Sequence, residues 1–190
     1  MGAWVLASIG FRPFLTASIT TASLFRICDY YKPTLFLDET ETYMVKDRRE
    51  IIYLLNSGYR KGSKAVRTED TKEGYKIRIF RTFGFKALSG TKELIETLRS
   101  RCIIFNMSEA TRDVKTRIDE KRAEILRKKL LAYRFKMLSK KETEETPEAV
   151  KALKGRLREL FEPLMIVAPL STRQSIIAEA EKIRKTIQEE

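Results

Sequence analysis

Two adjacent carboxylates, Asp38 and Glu39, follow directly on the apolar run Thr34-Leu35-Phe36-Leu37. The run reads as a central strand buried on both faces, and two acids at its carboxyl end are costly to bury without a reason. In open α/β sheets, ligands sit beyond the carboxyl ends of strands. An Asp there can hold Mg²⁺, directly or through water, while the neighbouring Glu orients and activates an attacking water. The plainer alternative is a strand that runs into an acidic turn. Downstream, the segment from Phe80 to Thr91 ends in the small polar residues Ser89 and Thr91, with a hairpin strand and turn as its plain reading. Arg99 and Arg101 then stand just before the apolar run 102–107. A planar, permanently charged guanidinium at such a place can stabilise charge on a phosphoryl group bound by the next subunit. Two solvated arginines at a helix end are the alternative.

Composition removes other chemistry. The 190-residue chain has no His, which excludes a Ser-His-Asp triad, a Cys-His dyad and imidazole-ligated zinc built from this chain alone. Cys28 and Cys102 match no metal spacing and sit among apolar residues, as buried free thiols do, and they fit a reducing cytoplasm. Asn and Gln are scarce while Lys, Arg and Glu abound, a bias associated with hyperthermophile proteomes. The apolar first 25 residues lack a basic leader, and Arg12-Pro13 followed by a Ser/Thr-rich stretch interrupts any membrane span, so no membrane partner is expected.

The formal charge is +12, and half of it lies in residues 58–86, with nine Lys/Arg against three Asp/Glu. Such a cluster favours a polyanion, nucleic acid before membrane. Lys64, Arg67, Lys76, Arg78 and Arg81 fall on two strands joined by the polar turn 69–74, a β-hairpin on which alternation is expected to leave one basic, phosphate-contacting face. A solvated edge hairpin whose charges prevent aggregation is the other reading.

These groups need elements to position them. Strands are expected over 11–16, 34–39, 64–68, 75–80, 83–89 and 102–107, alternating with amphipathic segments in an α/β layered fold. Leu24, Ile27, Cys28 and Tyr31 recur at helical spacing between the first two strands. Asp47 and Glu50 read as a capping box for a helix carrying Ile51, Ile52, Leu54 and Leu55 and ending at Ser57-Gly58. Beyond about 110 the strand signals stop. Val114, Ile118, Ile125, Tyr133 and Met137 mark one long helix. Thr146-Pro147 opens another with Val150, Leu153, Leu157, Leu160 and Leu164 inward, and Ser171 with Gln174 opens the last. The division expected is an α/β core over 1–110 and a helical lobe over 111–190.

The set Leu15–Thr20, Pro33–Glu39, Leu54–Gly58, Phe83–Gly90 and Arg99-Ser100-Arg101 resembles a P-loop, AAA+-like ATPase domain of primase- and helicase-type replication proteins from plasmids, prophages and other mobile elements, over roughly residues 8–170. The resemblance implies a P-loop NTPase-like core with a lid-like helical lobe. It makes Asp38 and Glu39 the Walker B pair, Asp38 the metal ligand, Ser89 or Thr91 a first sensor and Arg101 a finger. Arg156 or Arg158 would be a second, nucleotide-contacting sensor. Mg-ATP as cofactor, DNA as partner, ring oligomers or a larger replication protein, and a cytoplasmic place are implied with it. It also aligns the hairpin with the DNA-contacting hairpin of ring helicases.

The pattern departs from that family at the phosphate loop. No Gly-x-x-x-x-Gly-Lys-Ser/Thr occurs: 58–64 has three residues between its glycines, and 89–92 lacks the preceding glycine. Without backbone N–H groups cradling the β-phosphate, little affinity for ATP is expected of the chain alone. The expectation is therefore an N-terminally truncated ATPase/helicase-like module that does not hydrolyse ATP by itself. The alternative is a non-catalytic DNA-binding or assembly protein that kept the fold, or a regulatory partner completing its site with a neighbouring chain.

Overall fold

A computed structural model describes residues 2–42, 49–72, 74–111, 113, 117–139 and 148–189. Its contacts divide the chain into two units, Met1–Leu98 with Met107–Leu131 and Arg99–Asn106 with Ala132–Glu190. The first is α/β, the second helical.

In the first unit, helix α1 (Gly2–Ile9) leads into strand β1 (Pro13–Thr16), helix α2 (Thr21–Tyr31) and strand β2 (Thr34–Leu37). α2 starts where the Thr20 side chain accepts from the Ser23 amide, and it ends at Lys32 in a left-handed conformation. After helix α3 (Arg49–Ser57) come strands β3 (Lys64–Thr71), β4 (Gly74–Arg81) and β5 (Lys86–Leu88). β1, β2 and β5 form a parallel sheet in that order, with Leu15 opposite Phe36 and Leu37 opposite Leu88. Leu35, Phe36 and Leu37 are all buried, as a strand covered on both faces requires. Asp47 lies outside the described residues, but Ile51, Leu54 and Leu55 of α3 are buried as their spacing predicts.

β3 and β4 form a separate antiparallel hairpin. Its register pairs Lys64 with Arg81, Val66 with Ile79, Arg67 with Arg78 and Glu69 with Lys76. Directly opposed residues share a face and neighbours alternate, so the basic residues divide between two faces. The single basic face expected above is corrected by this register. Lys64 and Arg81 share one face with the exposed Val66, Ile77, Ile79 and Tyr75. Arg67, Lys76 and Arg78 share the other with Glu69 and the buried Phe80. Phe80 stacks on Phe25 of α2 at 6.0 Å, and Arg67 lies over the Phe25 ring at 4.1 Å. The hairpin is what buries Phe25, on a flank of α2 beyond the apolar stripe.

The second half shows further departures. Residues 102–107 form no strand: the described strands pair only with one another, and an extended backbone with no ladder partner is not a sheet element. Helix α4 (Glu96–Arg99) precedes that stretch. The long helix α5 (Glu120–Ser139) begins after Ile118, because Asp119 Oδ1 accepts from the Arg122 amide and caps it there. Val114, Thr146 and Pro147 lie outside the described residues. The helix expected from Val150 to Leu164 is broken in two, α6 (Glu148–Lys151) and α7 (Gly155–Val167), with buried Leu153 between them. Helix α8 (Leu170–Glu189) starts one residue before Ser171, with the Pro169 carbonyl accepting from the Thr172 amide and hydroxyl, so Ser171 is not its cap. Val150, Leu153, Phe161, Met165 and Ala180 form the core of this unit. No helix among the described residues is long and apolar enough to cross a membrane.

Candidate functional site at the carboxyl end of the parallel sheet

Beyond Leu37, the Asp38 amide still donates to the Thr16 carbonyl at 3.0 Å, which carries the β1–β2 ladder to the acid itself. The Ser89 amide donates to the Leu37 carbonyl at 2.9 Å, and the Thr40 amide to the Ser89 carbonyl at 2.9 Å. These bonds lay the end of β2 against the end of β5. Ser89 Oγ then donates to Asp38 Oδ1, which also accepts from the Glu39 amide at 3.2 Å. The Thr91 amide and hydroxyl donate to the two carboxylate oxygens of Glu41 at 3.3 and 3.1 Å. Asp38, Glu39, Ser89 and Thr91, picked out by residue type, thus lie around one end of the sheet.

Thr40 and Glu41, which pattern alone missed, complete the arrangement together with Gly90. Thr40 is buried, and its hydroxyl donates to the Ser89 carbonyl at 3.1 Å. Glu41 clamps Thr91. Gly90 lies so close that a Cβ there would run into Thr40 Oγ1 and come within 2.5 Å of Glu41 Oε2. The one signal for them in the sequence is the glycine beside a polar strand end, and that does not say what approaches it.

The electrostatics follow from these bonds. The Ser89 hydroxyl, more than the Glu39 amide, holds the Asp38 carboxyl below its ordinary range. Glu41 is lowered by its own backbone amide and by Thr91. Both are carboxylates at neutral pH. Since the native-state value of Asp38 is depressed, its contribution to stability is present above the ordinary carboxyl pKa and lost as pH falls through the lowered one. Ser89→Ala removes the main cause, so the Asp38 pKa should climb toward 3.8 in a carboxyl-carbon NMR titration. An unmoved midpoint would contradict the assignment of that bond.

Glu39 has φ +52°, in the left-handed region. Lys32 shares this conformation as the cap of α2, an ordinary use, but Glu39 closes no helix. A non-glycine residue there costs about 1–2 kcal/mol, and such residues gather where a site dictates the backbone.

Could the residues hold Mg²⁺? No group of three or more Cys, Asp or Glu placed to bind a metal exists among the described residues. Mg²⁺ does not need one, because it is commonly held by one or two carboxylates together with substrate phosphates. The Ser89 and Glu39 bonds to Asp38 fall on Oδ1, and the Trp4 side chain is a further, weaker donor to the carboxylate. The donor set therefore fits the metal half of a metal-nucleotide complex, whereas the sequence supplies no cradle for the phosphate half.

The four arginines belong to the second unit. Arg99 closes α4, and Arg101 lies beside Cys102, whose thiol is pushed up by burial and partly offset by that guanidinium. Arg156 Nη1 donates to Ser100 Oγ, and Arg158 forms a two-pronged pair with Glu162 at 3.3 Å. On the hairpin, Arg78 pairs with Glu69 at 2.8 Å, Arg81 with Asp29 at 3.2 Å and Arg67 with Glu50 at 3.7 Å. Arg26 of α2 joins Glu69 at 2.7 Å. Much of the hairpin's charge is thus engaged within the unit. Cys28 and Cys102 are free thiols. No family model matches the chain, and comparison with curated proteins and with solved structures likewise finds no match.

Proposed function

We propose that the carboxyl end of the β1-β2-β5 sheet is the metal and water half of an ATPase-type nucleotide site, in a module of a DNA replication protein from a mobile element. The observation that carries this reading is the coupling of Asp38, at the end of the central parallel strand, to Ser89 at the end of its neighbour, with Glu39 held beside them in a strained backbone conformation. A carboxylate coupled to a polar residue on the next strand is the arrangement the resemblance calls for. In it, Asp38 would hold Mg²⁺ and Glu39 would orient water, the metal supplying charge neutralisation at the transferring phosphoryl group. Ser89 would keep Asp38 ionised and fixed.

The phosphates need a cradle from elsewhere, so Mg-ATP should give no measurable heat with this chain alone in calorimetry. The coding sequence upstream of Met1 supplies the decisive test. If it encodes an in-frame Gly-x-x-x-x-Gly-Lys-Ser/Thr, the chain made with that segment should hydrolyse ATP. Glu39→Gln should then lower kcat about 100-fold while Mg-ATP binding persists. Equal turnover in the variant would sink the assignment. An upstream stop codon would favour a non-catalytic assembly or DNA-binding protein that retains the fold, a reading supported by the absence of a phosphate loop from this sequence.

A further inference from the structure

The opposite, amino-terminal end of the same sheet carries a different chemistry. Each of its strands is entered past exposed aromatic rings: Phe11 before β1, Tyr30 and Tyr31 before β2, and Phe85 before β5. Phe85 is 72% exposed, Tyr30 79% and Tyr31 54%, far more than packing alone would leave. Backbone bonds set these entries side by side. Thr34 donates its hydroxyl to the Phe11 carbonyl at 2.7 Å and its amide to the Arg12 carbonyl at 3.1 Å, while the Leu35 amide donates to the Phe85 carbonyl at 3.0 Å. Tyr30 and Tyr31 meet edge to face at 4.8 Å.

Cations are interleaved with the rings. Arg12 and Lys32 are exposed, and among the described residues neither is in an ion pair. The neighbouring acid, Asp29, is engaged by the backbone amide and guanidinium of Arg81. Arg12, Pro13, Phe14, Tyr31 and Pro33 line an open hollow of about 160 Å³, well below the roughly 300 Å³ at which small-molecule pockets begin.

We propose that this end of the sheet binds single-stranded nucleic acid, with successive bases stacked on Tyr30, Tyr31 and Phe85 and phosphates met by Arg12 and Lys32. Rings that stack and cations that track a backbone are the two components of sequence-tolerant single-strand binding. The charge of +12 favours a polyanion over an apolar or cationic occupant. The hairpin, whose arginines are tied to Glu50, Glu69 and Asp29, presents a less available set of cations. The phenylalanine and proline side chains offer no hydrogen-bonding group to read a 2′-hydroxyl, so the rings take DNA and RNA single strands alike. None of this depends on the acids at the carboxyl end.

The test is fluorescence anisotropy of a labelled oligothymidine with the full chain, at low salt and in EDTA without nucleotide, so that failure of the Asp38 site cannot affect it. Binding is expected to weaken steeply with salt. Tyr30→Ala and Phe85→Ala should each lower affinity about tenfold, Tyr30→Phe should keep it, and Arg12→Gln should reduce the salt slope by about one phosphate contact. Both rings are largely exposed, so circular dichroism melts of these variants should match the parent. The proposal is overturned if the parent does not bind, or if neither alanine variant weakens binding. It is equally overturned if duplex, a proline-rich peptide or anionic vesicles bind as tightly as the oligothymidine.

Discussion

Replacing Gly58 by alanine should cost the first unit at least about 3 kcal/mol, because the added methyl enters a space already filled by a buried ammonium. Lys86 Nζ donates to the carbonyls of Gly58 at 3.1 Å, Thr82 at 3.0 Å and Gly84 at 3.0 Å. Three N–H donors meet three backbone acceptors. A Cβ on Gly58 would overlap Lys86 Nζ and stand 2.6 Å from the Thr82 carbonyl and 3.0 Å from that of Leu54. The end of a lysine can move, but here moving it strands the Thr82 and Gly84 carbonyls and leaves that of Gly58 with only the Gly84 amide at 3.3 Å, and the Thr82 oxygen is backbone that cannot swing aside. Lys86→Met, which keeps the stem and removes the donors, should cost a similar amount by leaving the Thr82 and Gly84 carbonyls unmet. The control is Gly62→Ala, where a Cβ meets nothing within 4 Å and only the positive φ of +89° opposes the change, at about 1 kcal/mol. Urea midpoints at unchanged slope would read all three, and a Gly58→Ala cost under about 0.5 kcal/mol would refute the packing argument.

Burial also pulls Lys86 below the ordinary lysine pKa of 10.5. Between the lowered value and 10.5 the native state holds fewer protons than the unfolded chain, so this residue makes stability rise with pH across that window. The lysine fixes the 82–85 turn against the end of α3, and that turn delivers the chain into β5. Ser89, three residues along, owes its position opposite Asp38 to this anchor. The polar end of the sheet is therefore supported from its amino-terminal side by a cation that the sequence shows only as one more basic residue.

That contrast marks what could be read in advance. β2, α3 and the hairpin were legible because each is declared locally, by an apolar run, an i, i+3, i+4 stripe or a polar turn between β-prone segments. The splitting of the hairpin's cations was also in principle legible. Lys64 and Arg67 are three residues apart on one strand, an odd interval that sends their side chains to opposite faces. Contacts across long separations were not legible. Thr40 and Ser89 are 49 apart, Gly58 and Lys86 28 apart, and nothing in either neighbourhood announces the other. The run 102–107 shows the reverse error: strong β propensity gives no strand in a stretch that pairs with no described strand. Propensity supplies a tendency, and a ladder needs two sides.

The same reasoning makes Phe161 the most consequential residue of the helical unit, and Phe161→Ala should remove about 4 kcal/mol from it. α7 is poorly provided for by its own sequence. Its N-cap, Lys154, makes no side-chain bond to the first turn, its first residue is Gly155 at φ +55°, and Pro163 lies within it. A proline inside a helix removes one backbone bond and crowds the preceding turn, at about 3 kcal/mol. Local propensity therefore works against this helix, and tertiary packing has to supply what it lacks. Phe161 and Met165, one turn apart on either side of Pro163, are both fully buried against Val150, Leu153 and Ala180. Emptying the larger of the two leaves a cavity where the helix most needs support, so the loss should exceed that of an equal truncation in a well-capped helix. Far-ultraviolet circular dichroism should show reduced helicity and an earlier, broader melt in Phe161→Ala. Phe161→Leu, which keeps most of the volume, should recover more than half of the lost stability. If the leucine variant is as damaged as the alanine variant, burial of volume is not what holds α7 together.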